Sequence, residues 1–247
     1  MSDALKTVVF AFVLAVVCSL ALTAASTGLK GFQRENALVD RQKNILKAVG
    51  AVDPAVRYTA AAIKALYREH IQCVTVDAVG RVVAADETRQ KTLPLYLYRK
   101  DGAIAAYIVP IDSRGLWGRI YGYMAIDRDG RTVSGFSVYR HSETPGLGGE
   151  IESRWFQRNF VGKQIVDKAG HFVSVRIAKG AAADAVKPAQ RANYVDGISG
   201  ATMTGRYLSQ GLHDELEKYE PVSLHFRREG VLTLPEKPLV CNPFRQG

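Results

Sequence analysis

The stretch Ser199-Gly200-Ala201-Thr202-Met203-Thr204 sets three hydroxyls among small residues, immediately ahead of a helical pattern. Leu208, Leu212, Leu216 and Tyr219 follow at three- and four-residue spacing, one face of an amphipathic helix. Thr204 therefore falls where a glycine-containing turn becomes a helix. A helix start offers unpaired backbone N–H groups and the positive end of the helix dipole, an arrangement that suits a phosphate. Gly200 lets the backbone bend and approach a bulky group closely. The same residues also fit an ordinary helix cap, with Ser199 or Thr202 accepting N–H bonds.

A second chemistry-bearing segment is His141-Ser142-Glu143-Thr144-Pro145-Gly146-Leu147-Gly148-Gly149-Glu150. Pro145 to Gly149 are turn-formers whose glycines permit close backbone approach. Glu143 and Thr144 offer hydrogen-bonding groups. His141 is either a general acid or a hydrogen-bonded structural histidine. Leu147 and Trp117 suit packing against an aromatic ring, or, for the tryptophan, a place in the core.

The elements that must position these segments are legible in outline. Asp40 predicts a helix start, with Ile45, Leu46 and Val49 on one face and Gly50 as the stop. Pro54 or Tyr58 opens a second helix running toward His70, and Ile71–Val76 reads as a strand. Leu95–Arg99 and Ile104–Val109 flank Lys100-Asp101-Gly102, a hairpin signature; Tyr121–Ile126 and Thr132–Tyr139 flank Asp127-Arg128-Asp129-Gly130, another. A short helix is expected around Trp155–Phe160, a half-buried strand over Phe172–Ile177, and a loop or short helix at Ala181–Ala185. Hairpins mixed with separate helices imply an α+β domain.

Ahead of this domain, Thr7 to Leu29 holds no charged residue, and Phe10, Val13, Leu14, Val16, Val17, Leu20 and Leu22 make it strongly apolar. About 20 such residues span a hydrocarbon core. Lys6 and Lys30 bracket the run. Ala24, Ala25 and Ser26 would also suit a signal-peptide cleavage site, but the run is longer than a usual signal core, so a retained single-pass anchor is expected. Cys18 follows Val17, where a lipoprotein signal requires a small residue. Lys30, Arg34, Arg41, Lys43 and Lys47 follow the span; read literally, the positive-inside rule puts the soluble part in the cytoplasm.

Taken in order, Asp40-Arg41-Gln42-Lys43-Asn44-Ile45-Leu46, Gly115-Leu116-Trp117, Tyr121-Gly122-Tyr123-Met124-Ala125, the His141–Glu150 segment, Val195-Asp196-Gly197-Ile198 and the threonine motif resemble bacterial FMN-binding domains. They are most similar to the C subunit of the sodium-translocating NADH:quinone reductases. The G subunit of the related Rnf complex shares the His-x-Glu-Thr-Pro-Gly-Leu-Gly and threonine motifs. The early Asp-Arg-Gln-Lys-Asn block and Gly-Leu-Trp favour the reductase. The resemblance implies an FMN joined by a phosphoester to Thr204, with Ser199, Gly200, Ala201, Thr202, Glu143, Thr144, Gly146, Leu147 and Gly148 around it. It further implies a separate flavin transferase using FAD, an inner-membrane anchor with the flavin domain in the periplasm, and partner membrane subunits. Electrons would pass from an iron–sulfur centre in those subunits to the FMN of a neighbouring one. The organisation expected is an anchor at 1–29, an N-terminal extension at 30–103, an FMN-binding module at 104–219 and a tail at 220–247.

Composition sets further bounds. The three cysteines, Cys18, Cys73 and Cys241, form no Cys-x-x-Cys, so this chain alone supplies neither a zinc nor an iron–sulfur site. Cys73 and Cys241 could pair in an oxidising compartment, which spacing does not decide. The net charge of +9 permits an anionic partner, but the basic residues are scattered and the anchor argues against nucleic acid. Arg227, Arg228 and Lys237 suit a solvated or lipid-facing surface. No Gly-x-Gly-x-x-Gly follows a strand, so nothing here reads NADH. Two other classes stay open: a flavin-free membrane-anchored binding or scaffold protein, and a membrane-tethered DNA-binding regulator. The latter is disfavoured by the lack of a helix-turn-helix pattern.

Overall fold

The computed structural model describes residues 2–83, 92–230 and 232. The chain divides into two units, Met1–Arg41 and Gln42–Gly247. The first is helical. Its apolar window has a mean hydropathy of 2.7 and none of it is buried, and it is the one helix among the described residues long and apolar enough to cross a membrane. That helix, α1 (Asp3–Ala48), runs on without interruption, so Asp40 lies inside it and does not cap a new helix. Between Gly31 and Gly50 no proline or glycine breaks the run. It ends where Gly50 takes φ +69°, with Gly50 N–H donating to Lys47 O and Ala51 N–H to Leu46 O.

The second unit is built on a six-stranded antiparallel sheet in the order β2-β1-β3-β4-β5-β6. Its strands are β1 (Ile71–Val76), β2 (Val82–Val83), β3 (Leu93–Lys100), β4 (Ala103–Arg114), β5 (Arg119–Asp127) and β6 (Val133–Arg140). Both expected hairpins form. The β3–β4 turn needs left-handed backbone at two successive residues, and Asp101 (φ 52°) and Gly102 (φ 78°) supply it. The β5–β6 turn closes through Gly130 N–H to Asp127 O at 3.0 Å, with Asp129 Oδ1 accepting from Arg131 N and Thr132 N.

Each sheet face has its own cover. On one, Tyr107, Val109, Ile111, Met124 and Ile126 meet α5 (Thr202–Glu229), which buries Leu208, Leu212, Leu216, Tyr219, Val222 and Phe226. Each such side chain contributes roughly 1.5–3 kcal/mol on burial. The Tyr107 and Phe226 rings stack at 4.7 Å, and the Tyr107 hydroxyl meets Ser223 Oγ at 2.7 Å. The opposite face meets the end of α1. Ser137 Oγ donates to Asn44 O at 2.8 Å, and a Cβ on Gly135 would lie 2.3 Å from Ala48 O. Helix α2 (Ala60–His70) is capped by Thr59, whose hydroxyl accepts from Ala62 N, rather than opening at Pro54 or Tyr58.

Between β6 and α5 the chain forms a 3₁₀ turn (Gly148–Glu152), α3 (Arg154–Arg158), β7 (Arg176–Ile177), α4 (Ala182–Ala185), a second 3₁₀ turn (Pro188–Asn193) and β8 (Tyr194–Val195). The strand expected over Phe172–Ile177 is reduced to β7. Ser174 turns into left-handed backbone (φ 64°), so the alternation before it belongs to a bend, and Arg176–Ile177 pair in parallel with Tyr194–Val195. α5 itself continues past Tyr219 and through Pro221 to Glu229. Arg227 is neither solvated nor lipid-facing: its side chain is 5% exposed, ion-paired with Glu220, and donates to Gly130 O. Cys241 and Lys237 lie outside the described residues.

Candidate functional site

The site is assembled by one close approach between α5 and the sheet. Gly211 of α5 lies so near Ser113 of β4 that a Cβ would stand 2.8 Å from the Ser113 Cα, and Ser113 Oγ donates to Tyr207 O at 3.2 Å. The first turn of α5 is thereby brought against the β4–β5 connection and the segment leaving β6. The β4–β5 connection is a tight loop in which Gly115 N–H donates to Gly118 O at 2.7 Å. In the segment leaving β6, Pro145 and Gly146 (φ +73°) occupy the central positions of a turn closed by Leu147 N–H to Thr144 O. That residue order is the one a type II turn requires.

Where these three pieces meet, Thr204 is 1% exposed and donates its hydroxyl to Glu143 Oε2 at 2.5 Å, joining residues 61 apart in sequence. Glu143 is itself buried, and its other oxygen, Oε1, accepts from Trp117 N–H at 3.0 Å. Each carboxylate oxygen rests against a glycine. A Cβ on Gly115 would lie 2.5 Å from Oε1, and one on Gly148 would lie 2.7 Å from Oε2 and 2.6 Å from Thr204 Oγ1. A Cβ on Gly200 would strike Leu147 Cδ2 at 2.7 Å, so the two motifs touch there as well. Leu116, Trp117, Leu147 and Met203, all from these three pieces, are exposed, Trp117 by 69%.

The two motif threonines part company. Ala201 is the N-cap residue of α5, and no side chain caps that helix. The capping expectation for Ser199 and Thr202 is therefore corrected: both are exposed, and Thr202 is the first helical residue. Thr202 instead lines a cavity of about 490 Å³ with Arg176, Lys179, Tyr194, Arg206 and His213. Gly205 N–H is the first to find a partner within the helix, on Ala201 O, which leaves the N–H groups of Thr202, Met203 and Thr204 for an anion.

Of the expected residues, Thr204, Glu143 and Gly148 are thus in mutual contact, and Leu147 meets Gly200. Thr144 contributes its carbonyl, which accepts from Leu147 N and Gly149 N, and Gly146 the turn; Ala201 is buried beneath the helix start. His141 is engaged by other groups than Thr204. Its Nδ1 accepts from Glu143 N–H at 3.1 Å and its Nε2 lies 3.2 Å from Glu152 Oε2, so it orients Glu143 through the backbone. Trp117 is not a core residue but an exposed ring on a backbone that holds Glu143. Sequence reasoning quoted Gly115 only within the Gly115-Leu116-Trp117 block, gave it no place at the site and passed over Gly118, although the Gly-x-x-Gly spacing was the available signal of a tight loop.

The start of α5, with its unpartnered N–H groups beside glycine-lined loops, has the chemistry of a phosphate-binding cradle. The same three pieces carry the buried hydroxyl, the helix N–H groups, glycines whose places a side chain would fill and the exposed Leu116, Trp117, Leu147 and Met203, apolar side chains of the kind a flavin ring packs against. The comparisons with known proteins agree with this class. Residues 115–217 match the FMN-binding domain family. The chain is 34% identical over 229 residues to the C subunit of the Na(+)-translocating NADH-quinone reductase of Yersinia pestis, covering 81% of this chain and 83% of that protein. It is 31% identical over 245 residues to the corresponding C subunit of Pseudomonas aeruginosa, covering 86% and 91%. The crystal structure of the C subunit from Parabacteroides distasonis superposes with a TM-score of 0.67 at 30% identity, covering 79% of this chain and 96% of that one. The fold is thus that of an FMN-binding domain with an N-terminal apolar helix. The chain belongs to the family of C subunits of the Na(+)-translocating NADH-quinone reductases.

Proposed function

We propose that this chain is the flavin-carrying C subunit of a sodium-pumping NADH:quinone reductase, holding FMN by a phosphoester on Thr204. The observation that carries this reading is the buried Thr204 hydroxyl, held by Glu143 at 2.5 Å within a glycine-lined cradle whose three chain segments also carry the exposed Leu147, Trp117 and Met203. The chemistry FMN supplies there is one- and two-electron transfer. The chain's part is to hold it between an iron–sulfur centre of the membrane subunits and the FMN of a neighbouring subunit. The chain does not turn over a substrate alone.

Each residue has a defined task. The free N–H groups of Thr202, Met203 and Thr204 and the helix dipole receive the phosphate charge. Leu147, Trp117 and Met203 offer apolar area to the ring, exposed Thr144 offers a polar partner, and buried Glu143, both of its oxygens engaged, holds Thr204. The module spans residues 104–219, with 30–103 as an extension. The N-terminal helix is a single-pass inner-membrane anchor that leaves the second unit in the periplasm. A short N-tail is easily retained inside, and large domains translocate despite their charge. A covalent bond keeps the cofactor from diffusing away in that compartment, and a flavin transferase installs it from FAD. Co-expression with that transferase tests the reading. A denaturing gel should give a band fluorescent under ultraviolet light, and peptide mapping should place the flavin on Thr204. A dark band from fully matured protein would refute it.

A further inference from the structure

We propose that Glu143 is the base that takes the Thr204 proton when the flavin phosphate is transferred; this rests on the reading of Thr204 as the attachment site. An uncharged threonine hydroxyl is a weak nucleophile, and it becomes a competent one when a group within hydrogen-bond reach accepts its proton as the new bond forms. Thr204 already has such a group. Its Oγ1 donates to Glu143 Oε2 at 2.5 Å, and the bond is buried, which fixes the direction of the hydroxyl.

Glu143 is placed for this task more specifically than a packing role requires. Trp117 N–H occupies Oε1 at 3.0 Å, leaving Oε2 as the oxygen turned to Thr204. Gly115 and Gly148 leave room for one oxygen each; any Cβ there would come within 2.7 Å of it. His141 does not compete, since its two nitrogens are engaged by Glu143 N–H and Glu152. Thr202 and Ser199 are exposed, and neither donates to a carboxylate among the described residues. The same arrangement therefore selects Thr204 among three neighbouring hydroxyls and activates it.

The step balances without a redox partner. Thr204 Oγ1 forms a bond to the FMN-side phosphorus of the dinucleotide FAD. The pyrophosphate P–O bond breaks and AMP departs with its electron pair, while the Thr204 proton passes to Glu143 Oε2. The ester oxygen left behind has no hydrogen to donate. A carboxyl that has gained the proton replaces that donor and avoids setting a carboxylate against a phosphodiester at hydrogen-bond range.

The test is the initial rate of mass gain of the full-length chain in detergent, with purified flavin transferase and FAD, for wild type, Glu143→Gln, Glu143→Asp and Thr204→Val. Glutamine is isosteric and retains an acceptor for Trp117 N–H. The expected result for Glu143→Gln is a kcat lower by about 100-fold or more, the range for general-base assistance, with the KM for the acceptor protein unchanged. Glu143→Asp, a withdrawn carboxylate, should label faster than Glu143→Gln. Labelling of Glu143→Gln at the wild-type kcat, a loss confined to KM, or Glu143→Asp no faster than Glu143→Gln would each overturn the role. An unlabelled wild type, or label persisting in Thr204→Val, would instead overturn the attachment site itself.

Discussion

Replacing Thr204 by valine exchanges a hydroxyl for a methyl of similar size at a position that is 1% exposed, so little cavity is created. The consequence falls on Glu143. Its Oε2 loses its Thr204 donor while remaining buried, and the backbone of Gly148 lies close over it. Hydrogen bonds to charged groups contribute about 1.5–3 kcal/mol, and a buried acceptor left without its partner costs a similar amount. A loss of about 2 kcal/mol follows. For a unit of this size each kcal/mol moves Tm by roughly 2–4 °C, so Thr204→Val should melt about 4–8 °C below wild type. Thr204→Ser keeps the donor and loses one methyl, worth about 0.8 kcal/mol in burial and somewhat more with the gap it leaves. Its melting point should fall between the two.

The melts should be run on chains expressed without the flavin transferase, so that a bound ligand adds nothing to the native state. The same three proteins matured with the transferase should then divide differently: wild type and Thr204→Ser fluorescent after denaturation, Thr204→Val dark. Stability and labelling thus rank the variants in separate ways, and a general folding defect cannot mimic both. Thr204→Val melting at the wild-type temperature would mean that the Thr204–Glu143 bond is not made in solution, and the cradle would lose the contact on which it is built.

Thr202→Ala should change stability by less than about 0.5 kcal/mol and keep its flavin, because Thr202 is exposed and caps nothing; thermal melts and gel fluorescence check both. Gly148→Ala should suppress labelling, since its Cβ would enter the contact between Thr204 and Glu143; intact mass after maturation measures this. Gly211→Ala should destabilise by about 1–3 kcal/mol in urea despite alanine's better helix propensity, because the Cβ meets the Ser113 backbone; Ser113→Gly should recover part of the loss. Burial alone would raise the Asp77 pKa, but hydrogen bonds from Arg81 N–H and its guanidinium and from Val79 N–H outweigh this and hold the carboxyl below its usual range. A lowered folded-state pKa gives stability that is present above the unfolded value of about 3.9 and lost as pH falls through the folded one. Asp77→Asn should therefore be less stable than wild type at pH 7, with the gap closing in urea titrations below about pH 4.

How much of this was legible in the sequence depended on whether the deciding contact was local. The Asp101-Gly102 turn and the Leu208–Tyr219 stripe were readable because their determinants lie within a few residues: left-handed backbone at a turn, and one face of a helix. Asp40 misled because a good capping residue is only an option when the preceding segment is itself non-helical, and nothing between Lys30 and Ala48 interrupts α1 for long enough to use it. Val82–Val83 is too short a strand to announce itself, and exists because Thr75 and Val76 give it a partner. The alternation over Phe172–Ile177 was real, but Ser174 bends the chain, and the partner of the remaining two residues lies at Tyr194–Val195.

The site shows the same division more sharply. Motif resemblance named Thr204 and Glu143 separately, and no local rule joined two residues 61 apart into one hydrogen bond. What joins them is a chain of small-residue contacts. Gly211 lets α5 settle on Ser113, Gly115 admits the carboxylate beneath the Trp117 N–H, and Gly148 leaves the Thr204 and Glu143 side chains in contact. Pro221, which would ordinarily end a helix, does not end α5, because beyond it Val222 and Phe226 are buried, Ser223 meets the Tyr107 hydroxyl, and Arg227 pairs with Glu220 and Gly130. The anchoring of the far end of α5 and the close approach at Gly211 act on one rigid element, so the position of Thr204 is set by packing well away from it. A stability change at Gly211 should accordingly be felt as a labelling change at Thr204, although no atom of Gly211 touches the cradle.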